Sequence, residues 1–264
     1  MSGISGIQRA LKAIGLVTEV EASNLQKSVV IGAKHTRASI NATDTLEFGG
    51  FKVSGTGLAV TATTTDFNTG PIIQTKNKTD LSIIGGDGFF ILFDSKNQLY
   101  FTRQGEFHFD DAGYLVNNDG LYVASYNPGT KTLGKTDKLS VPGGIGDKGD
   151  EIQFNSYGVL INETRGLLEG RQLALARFSN PQGLQGSTHG PQVYIHTDAA
   201  GNTQFGAAGD PNFGYVNGQS LEGSNTTVTN SLIDMGYWQK TFSSTAAAVK
   251  IFLSAWDDLI ATFK

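Results

Sequence analysis

The sequence predicts an α+β fold that is mainly β, with an antiparallel β domain inserted between N- and C-terminal helices. Apolar residues recur at helical spacing at both ends of the 264-residue chain, whereas short strand-like runs separated by turn residues fill the middle. The 34 glycines fit a chain rich in turns and β structure. We expect the terminal helices to pair as a coiled-coil-like hairpin.

The C-terminal helix is predicted from about Thr226 to the end of the chain. Apolar residues recur there at every seventh position: Val228, Met235, Phe242, Val249, Trp256 and Phe263. A second apolar seam runs beside the first: Leu232, Trp238, Phe252 and Leu259. One stripe of a long helix is therefore apolar, as in helices that pack against other helices.

The N-terminal helix is predicted over residues 1–31 and carries a weaker stripe of the same kind: Ile4, Ile7, Leu11, Ile14, Val17 and Val20. Two paired helices cannot cover both stripes, so the remaining apolar surface requires a neighbouring subunit. The sequence thus predicts that the chain associates with copies of itself as a homo-oligomer. Its predicted interface is Ile4, Ile7, Leu11, Ile14, Val228, Met235, Trp238, Phe242, Val249, Phe252, Trp256, Leu259 and Phe263.

The segment 32–50 has no clear periodicity and is predicted to be a loop or linker. From Phe51 onward the period changes to two, and strands are predicted at regular spacing as far as His196. The Gly- and Asn-rich segment 197–224 is predicted to be loop. These changes divide the chain into a terminal-helix assembly domain, 1–45 with 225–264, and a β-rich outer domain, 46–224.

Composition argues against several classes of partner. The net charge is −4 and no basic cluster occurs, so we expect no nucleic-acid surface. No apolar run approaches the ~20 residues of a membrane helix, so no membrane insertion is expected. The N-terminal segment MSGISGIQRALKAIGLV lacks the pattern of a cleaved signal peptide. Cysteine is absent, which excludes disulfides and thiolate metal sites.

Several segments, in order along the chain, resemble bacterial flagellar hook and distal-rod proteins. They are TDFNTG from Thr65, DLSI from Asp80, GDGFF from Gly86, YFTRQGEF from Tyr100, GYLV from Gly113, NPQGL from Asn180 and LEGSN from Leu221. The family's Asn-rich signature after the first helix survives as a remnant, Ala22–Leu25 with Gly32–Lys34. The resemblance covers nearly the whole chain.

This resemblance implies a structural, non-enzymatic subunit of the flagellar axial tube, with paired terminal helices in the inner layer and the β domain outside. It also implies neighbouring axial flagellar proteins as partners. The expected location is the hook-basal body, periplasmic or extracellular, after export without a cleaved signal peptide. The chain's length is similar to that of distal-rod proteins, whereas TDFNTG is more similar to hook proteins, so both positions stay open.

A nucleotide-binding or hydrolytic β-rich enzyme is an alternative function. The segment GTKTLGKT, residues 129–136, matches a phosphate-binding loop with Lys135 as its lysine. A phosphate-binding loop must lie at the N-terminus of a helix. The segment that follows, DKLSVPGG, contains a proline and two glycines and does not predict a helix, so a hairpin loop is the favoured interpretation. The same test makes GIGDKG, residues 144–149, a loop rather than a dinucleotide site.

Other candidate chemistry is equally weak. The four histidines, His35, His108, His189 and His196, share no ligand spacing, so no metal site is predicted. The acids Asp110, Asp111 and Glu163 could suggest a glycosidase pair, but adjacent acids before a glycine are more simply a turn. A further alternative is a β-sandwich adhesin or carbohydrate-binding module. The sequence predicts no catalytic residue and no cofactor.

Overall fold

The computed structural model describes residues 2–42, 45–48, 51–54, 58–127, 132–141, 152–162 and 166–262. The chain forms two compact units. The helix unit comprises Met1–Ser28, His35–Asp66 and Thr226–Lys264, and the β unit comprises Val29–Lys34 and Phe67–Asn225. The division into assembly and outer domains drawn from the sequence stays a prediction.

The helix unit contains helices α1 (Ser2–Lys27) and α2 (Val228–Thr262), which pack against each other. Strand β1 (His35–Ala42) pairs antiparallel with β4 (Leu58–Asp66), and both pack on α1. Between them in the chain, β2 (Thr45–Phe48) pairs with β3 (Phe51–Ser54). The β1–β4 ribbon has half-buried and exposed residues on both faces.

The β unit is built from short antiparallel strands. They are β5 (Ile72–Gln74), β6 (Leu81–Ile84), β7 (Phe89–Phe93), β8 (Leu99–Thr102), β9 (Phe107–Phe109), β10 (Leu115–Asn117), β11 (Tyr122–Asn127), β12 (Thr132–Lys138), β13 (Ile152–Phe154), β14 (Val159–Asn162), β15 (Gly166–Phe178), β16 (Gln185–Ser187), β17 (Gly190–Ile195), β18 (Thr203–Ala207), β19 (Tyr215–Gly218) and β20 (Ser220–Glu222).

The main sheet has the order β13-β14-β15-β11-β7-β8-β17-β16. Strands β10 and β12 also pair with β11, β9 pairs with β10, and β18 pairs with β15. Two smaller pairs complete the unit: β19 with β6, and β20 with β5. The β20–β5 pair brings the last strand before α2 beside the first strand of the β unit.

Both faces of the main sheet are buried. In β7, Phe90 and Leu92 belong to one hydrophobic cluster, whereas Phe89, Ile91 and Phe93 belong to the other. Alternate side chains of a strand point to opposite faces of the sheet. Because both faces of β7 are buried, all of its positions are apolar, which gives the continuous run FFILF. Each such side chain contributes about 1.5–3 kcal/mol to the free energy of unfolding.

The structure confirms the central strands and both terminal helices and corrects three boundaries. Helix α1 ends at Lys27 rather than near residue 31. The predicted linker 32–50 contains β1 and β2, and the predicted loop 197–224 contains β18, β19 and β20. Strand β1 was missed because a strand with half-buried and exposed residues on both faces shows no apolar alternation. The three later strands are short and rich in glycine and polar residues.

Candidate functional site

Helix α2 exposes an unusual amount of apolar surface. Among the described side chains of this 35-residue helix, ten large apolar ones are exposed: Val228, Leu232, Ile233, Tyr237, Phe242, Ile251, Phe252, Leu253, Leu259 and Ile260. Ile251 is the most exposed of them, at 69%. Single exposed apolar residues are ordinary, but a series of them along one helix marks an interaction surface.

A different stripe of α2 is shielded. Ser231 is buried, and half-buried residues follow at spacings of three or four: Met235, Trp238, Thr241, Thr245 and Val249. This spacing defines one face of a helix, which we assign to the contact with α1. The apolar residues of α2 therefore exceed what the helix pair itself covers.

The predicted interface residues divide between these two surfaces. In α1, Ile14 is buried and Ile7 and Leu11 are half-buried. In α2, Met235, Trp238 and Val249 are half-buried, whereas the exposed members are Val228, Phe242, Phe252 and Leu259. Ile4 and Trp256 lie in the helices, but their side chains lie outside the described part, as does Phe263. Their role in assembly stays a prediction.

A groove of about 540 Å³ runs between the helices. Gly15, Thr18, Glu19 and Ala22 line it from α1, and Gln239, Phe242 and Ser243 line it from α2. A Cβ atom added at Gly15 would meet no atom within 4 Å. The small residues of α1 thus leave one side of Phe242 uncovered at the helix pair.

The β unit contains a second notable feature, a buried cluster of three charged side chains. Lys34 Nζ lies 2.5 Å from Glu222 Oε1, and Arg103 Nη1 lies 3.5 Å from Glu222 Oε2. The side chains of Lys34 and Glu222 are fully buried, and that of Arg103 is 2% exposed. Charged side chains are rarely buried to this extent unless they are paired. We call these three residues the charge cluster.

Main-chain groups complete the surroundings of the charge cluster. The backbone N–H of Gly70 donates to Glu222 Oε1 at 2.9 Å, and Lys34 Nζ donates to the carbonyl of Asn68 at 2.7 Å. The backbone N–H of Gly32 donates to the carbonyl of Glu222 at 2.7 Å. Glu222 therefore joins three separate parts of the chain through its side chain and its backbone.

Arg103 is the less satisfied cation of the charge cluster. Its guanidinium carbon lies 4.7 Å from the ring centroid of Phe89, a cation–π contact. Its Nε is buried without a hydrogen-bond partner in the described part of the chain. Burial lowers the pKa of Arg103, and the carboxylates of Glu222 and Asp87 oppose that shift. Lys34 and Arg103 therefore both lie against the Glu222 carboxylate.

The charge cluster was not predicted, although every segment that builds it belongs to a motif recognisable in the sequence. Lys34 ends the remnant signature, Asn68 and Gly70 belong to TDFNTG, Arg103 to YFTRQGEF and Glu222 to LEGSN. A charged residue inside an otherwise apolar or glycine-rich motif was the available signal. It could not be used, because nothing in the sequence shows that these segments meet.

The candidate chemical motifs find little support in the described residues. Lys135 and Thr136 lie in strand β12, whereas a phosphate-binding loop requires the start of a helix there. The GIGDKG segment and Glu163 lie outside the described residues. Within the described ranges, no group of three His, Asp or Glu residues is arranged to hold a metal ion. No described helix is long and apolar enough to cross a membrane.

Comparisons with known proteins agree on one family. Residues 83–162 match the family described as the flagellar hook protein FlgE/F/G D1 domain. The chain is 28% identical to the flagellar basal-body rod protein FlgG of Bacillus subtilis (strain 168), over 94% of this chain and 91% of that protein. It is 27% identical to FlgG of Agrobacterium fabrum, over 74% of this chain and 68% of that protein. It is 37% identical to the flagellar hook protein FlgE of Helicobacter pylori (strain 26695), over 53% of this chain and 21% of that protein.

Proposed function

We propose that this chain, which belongs to the flagellar hook and basal-body rod protein family, is a structural subunit of the flagellar axial tube. It assembles with copies of itself and with neighbouring axial proteins, and it catalyses no reaction. The observation that carries the proposal is the series of exposed apolar side chains along α2. A surface of this kind on a long helix requires a partner to shield it from water.

A second copy of the chain is the partner that suits a tube. A contact between two different surfaces of identical subunits, repeated without closing into a ring, generates a helical filament. The outer surface of α2 and the groove beside Phe242 are two such surfaces on one helix pair. The terminal helices would then form the inner layer and the β unit the outer layer.

The fraction of each relative that the match covers favours a position in the rod of the axial tube over a position in the hook. The match to the B. subtilis rod protein spans 91% of that protein, whereas the match to the H. pylori hook protein spans 21%. We therefore place the subunit in a rod-type segment of the axial tube.

Assembly of purified protein tests this function. We expect short filaments or tubes by negative-stain microscopy at high concentration, and a concentration-dependent fast species in sedimentation velocity. The double variant Ile251→Ser/Leu259→Ser should remain monomeric, because it places two hydroxyls on the exposed surface of α2. Ile84→Ser is the matched control on the β unit, where Ile84 is also exposed, and it should assemble normally. Normal filaments of the double variant would contradict the role of α2.

A further inference from the structure

The β unit has a polar cleft of about 370 Å³ on one face of its main sheet, a volume within the range of small-molecule sites. Tyr126 of β11 and Gln172 of β15 are paired directly across the two strands, so their side chains lie on the same face. Tyr157 and residues 207–210 form the rest of the lining. We call this site the tyrosine cleft.

The walls of the tyrosine cleft are held by their own hydrogen bonds. On one side, Asn155 Oδ1 accepts from the backbone N–H of Tyr157 at 3.0 Å. On the other, Asp210 Oδ2 accepts from the backbone N–H of Ala207 at 2.9 Å. Gly209 has a φ of +90°, and a Cβ there would lie 2.6 Å from Tyr157 Cδ1, so the tyrosine ring lies against bare backbone. The cleft is therefore preformed, as small-molecule sites usually are.

Tyr126 brings an unpartnered hydroxyl to the tyrosine cleft. The residue is only 7% exposed, and within the described part of the chain its hydroxyl makes no hydrogen bond. Buried polar groups almost always have a partner, so this hydroxyl requires one from outside the chain. Burial raises the pKa of Tyr126 and the Asp210 carboxylate raises it further. The hydroxyl therefore keeps its proton and can donate it in a hydrogen bond.

The other polar groups of the tyrosine cleft are acceptors. Gln172 Nε2 donates to the carbonyls of Tyr157 at 2.8 Å and Ala208 at 3.4 Å, which leaves Oε1 as the acceptor of this side chain. Asp210 bonds to Ala207 through Oδ2, which leaves Oδ1. Among the described residues that line the cleft, none is basic. These groups suit a ligand that is rich in hydrogen-bond donors and is not an anion.

Two exposed tyrosine rings adjoin these polar groups. Tyr157 is 56% exposed and Tyr215 is 51% exposed, and their ring centroids lie 6.1 Å apart in an edge-to-face arrangement. The negative face of an aromatic ring attracts C–H groups that carry a partial positive charge. A pyranose has such C–H groups on its faces and hydroxyl donors around its rim. Its chemistry therefore matches the combination of aromatic ring and acceptors in the tyrosine cleft.

A second polar cleft, of about 260 Å³, adjoins the first at Tyr157, because Ser156 lines the second cleft and Tyr157 lines the first. The backbone N–H of Val216, next to Tyr215, donates to the carbonyl of Ser156 at 3.0 Å and so holds the two tyrosines at this junction. The two clefts together provide room for more than one sugar ring. The polar residues of the second cleft are Lys78, Gln153, Asn155, Ser156, Asn217 and Gln219.

We propose that the tyrosine cleft binds one ring of a neutral oligosaccharide, which stacks on Tyr157 and continues past Tyr215 into the second cleft. The hydroxyl of Tyr126 donates to a sugar oxygen. Asp210 Oδ1 and Gln172 Oε1 accept hydrogen bonds from sugar hydroxyls. The inference concerns the β unit alone and does not depend on the proposed assembly.

NMR titration of the full-length protein, kept below the concentration at which it assembles, tests the site. The probes are three neutral oligosaccharides: cellotetraose, chitotetraose and maltotetraose. We expect at least one of them to bind with a millimolar or lower Kd and to shift the amide signals of Tyr157, Gly209 and Val216, while the amides of β7 stay unchanged. Lysine methyl ester is the comparison, because an ammonium group would also suit Asp210. No shift with any of the sugars, or tighter binding of the amine, would overturn the proposal.

Two variants remove one contact each. Tyr157→Ala should weaken sugar binding about tenfold or more, because the stacking ring is lost. Tyr126→Phe keeps the ring and removes only the hydroxyl, so it should weaken binding about threefold to tenfold. Tyr100→Phe is the matched control: it removes the hydroxyl of a tyrosine that is 8% exposed and lies outside the cleft, and it should bind as the unmodified protein does. Unchanged affinity in both Tyr157→Ala and Tyr126→Phe would overturn the proposal, since the sugar would then bind elsewhere.

Discussion

Lys34 Nζ and Glu222 Oε1 lie 2.5 Å apart although 188 positions separate the two residues in the chain. Lys34 lies between α1 and β1, and Glu222 is in the last strand before α2. The pair therefore joins the two segments of the β unit that lead to the terminal helices. Arg103 joins the same carboxylate from the turn after β8.

The shared carboxylate of the cluster predicts unequal effects of mutation. Glu222→Gln should lower the free energy of unfolding by about 3 kcal/mol, since it removes the carboxylate that Lys34 and Arg103 share. Lys34→Met should cost less, because Arg103 still lies beside the Glu222 carboxylate. Urea denaturation followed by fluorescence measures both. A larger loss for Lys34→Met would show that the two cations do not share the carboxylate as the structure describes.

Asn24 predicts a second stability effect, in the helix unit. Its side chain is fully buried and satisfies both backbone groups of Thr36. Asn24→Ala should cost about 1–3 kcal/mol, because it leaves these groups without their partner. Thermal unfolding followed by circular dichroism at 222 nm measures the loss. Asn118→Ala, at an exposed turn position, is the control and should change stability by no more than about 0.5 kcal/mol.

Two glycines of the β unit are required for different reasons. Gly113 has a φ of +83°, so Gly113→Ala should cost about 1–2 kcal/mol. Gly105 is not among the residues with positive φ, but a Cβ there would lie 1.7 Å from the carbonyl oxygen of Leu81. Gly105→Ala should cost about 3 kcal/mol or more, since the backbone of β6 must move. Gly186→Ala, with open space around it, should be nearly neutral. Equal melting temperatures for the Gly105 and Gly186 variants would contradict this packing.

Tyr194 predicts how stability changes at alkaline pH. Burial raises the pKa of its hydroxyl well above the ordinary value of 10.0. The folded protein therefore keeps a proton that the unfolded chain releases above pH ~10, so stability falls as the pH rises through that range. Urea denaturation at several pH values should show a shallower fall for Tyr194→Phe. Burial also raises the pKa values of Tyr100 and Tyr126, so part of the fall should remain. An identical fall in both proteins would contradict the burial of the Tyr194 hydroxyl.

The nucleotide-binding alternative makes an opposite prediction at Lys135. On the structural interpretation, Lys135→Ala should leave filament formation intact and change stability by no more than about 0.5 kcal/mol. Trp256→Ala is the comparison within the apolar stripe of α2, and it should reduce assembly. Isothermal titration with ATP and magnesium should detect no binding to the unmodified protein. Nucleotide binding that Lys135→Ala abolishes would favour the enzyme.

Much of the fold follows directly from local sequence. The run FFILF and the alternating segments around it predict β7 and its neighbours, because burial on one or both faces leaves a period-two or continuous apolar pattern. The heptad spacing from Val228 predicts α2 in the same way. These patterns depend only on residues close in the chain. They also identified α2 as a surface with more apolar residues than one partner helix can cover.

Other elements could not be predicted from local pattern. Strand β1 exposes residues on both faces, so it carries no alternation. The close approach of the Leu81 carbonyl oxygen to Gly105, whose φ is not positive, is another such feature. That approach depends on how β6 passes the turn before β9. The sequence shows the glycine at position 105, but it does not show that Leu81 packs against it.

The sequence by itself determined the class of fold, the terminal helices and the apolar surplus of α2, because periodicity is a property of consecutive residues. Only the tertiary structure decided which of the predicted interface residues are exposed and that Lys34, Arg103 and Glu222 share one buried site. A buried charge is tolerated only where an opposite charge arrives from elsewhere in the chain. Whether an opposite charge lies next to a buried one depends on how strands that are far apart in the sequence pack together, and no local pattern encodes that packing.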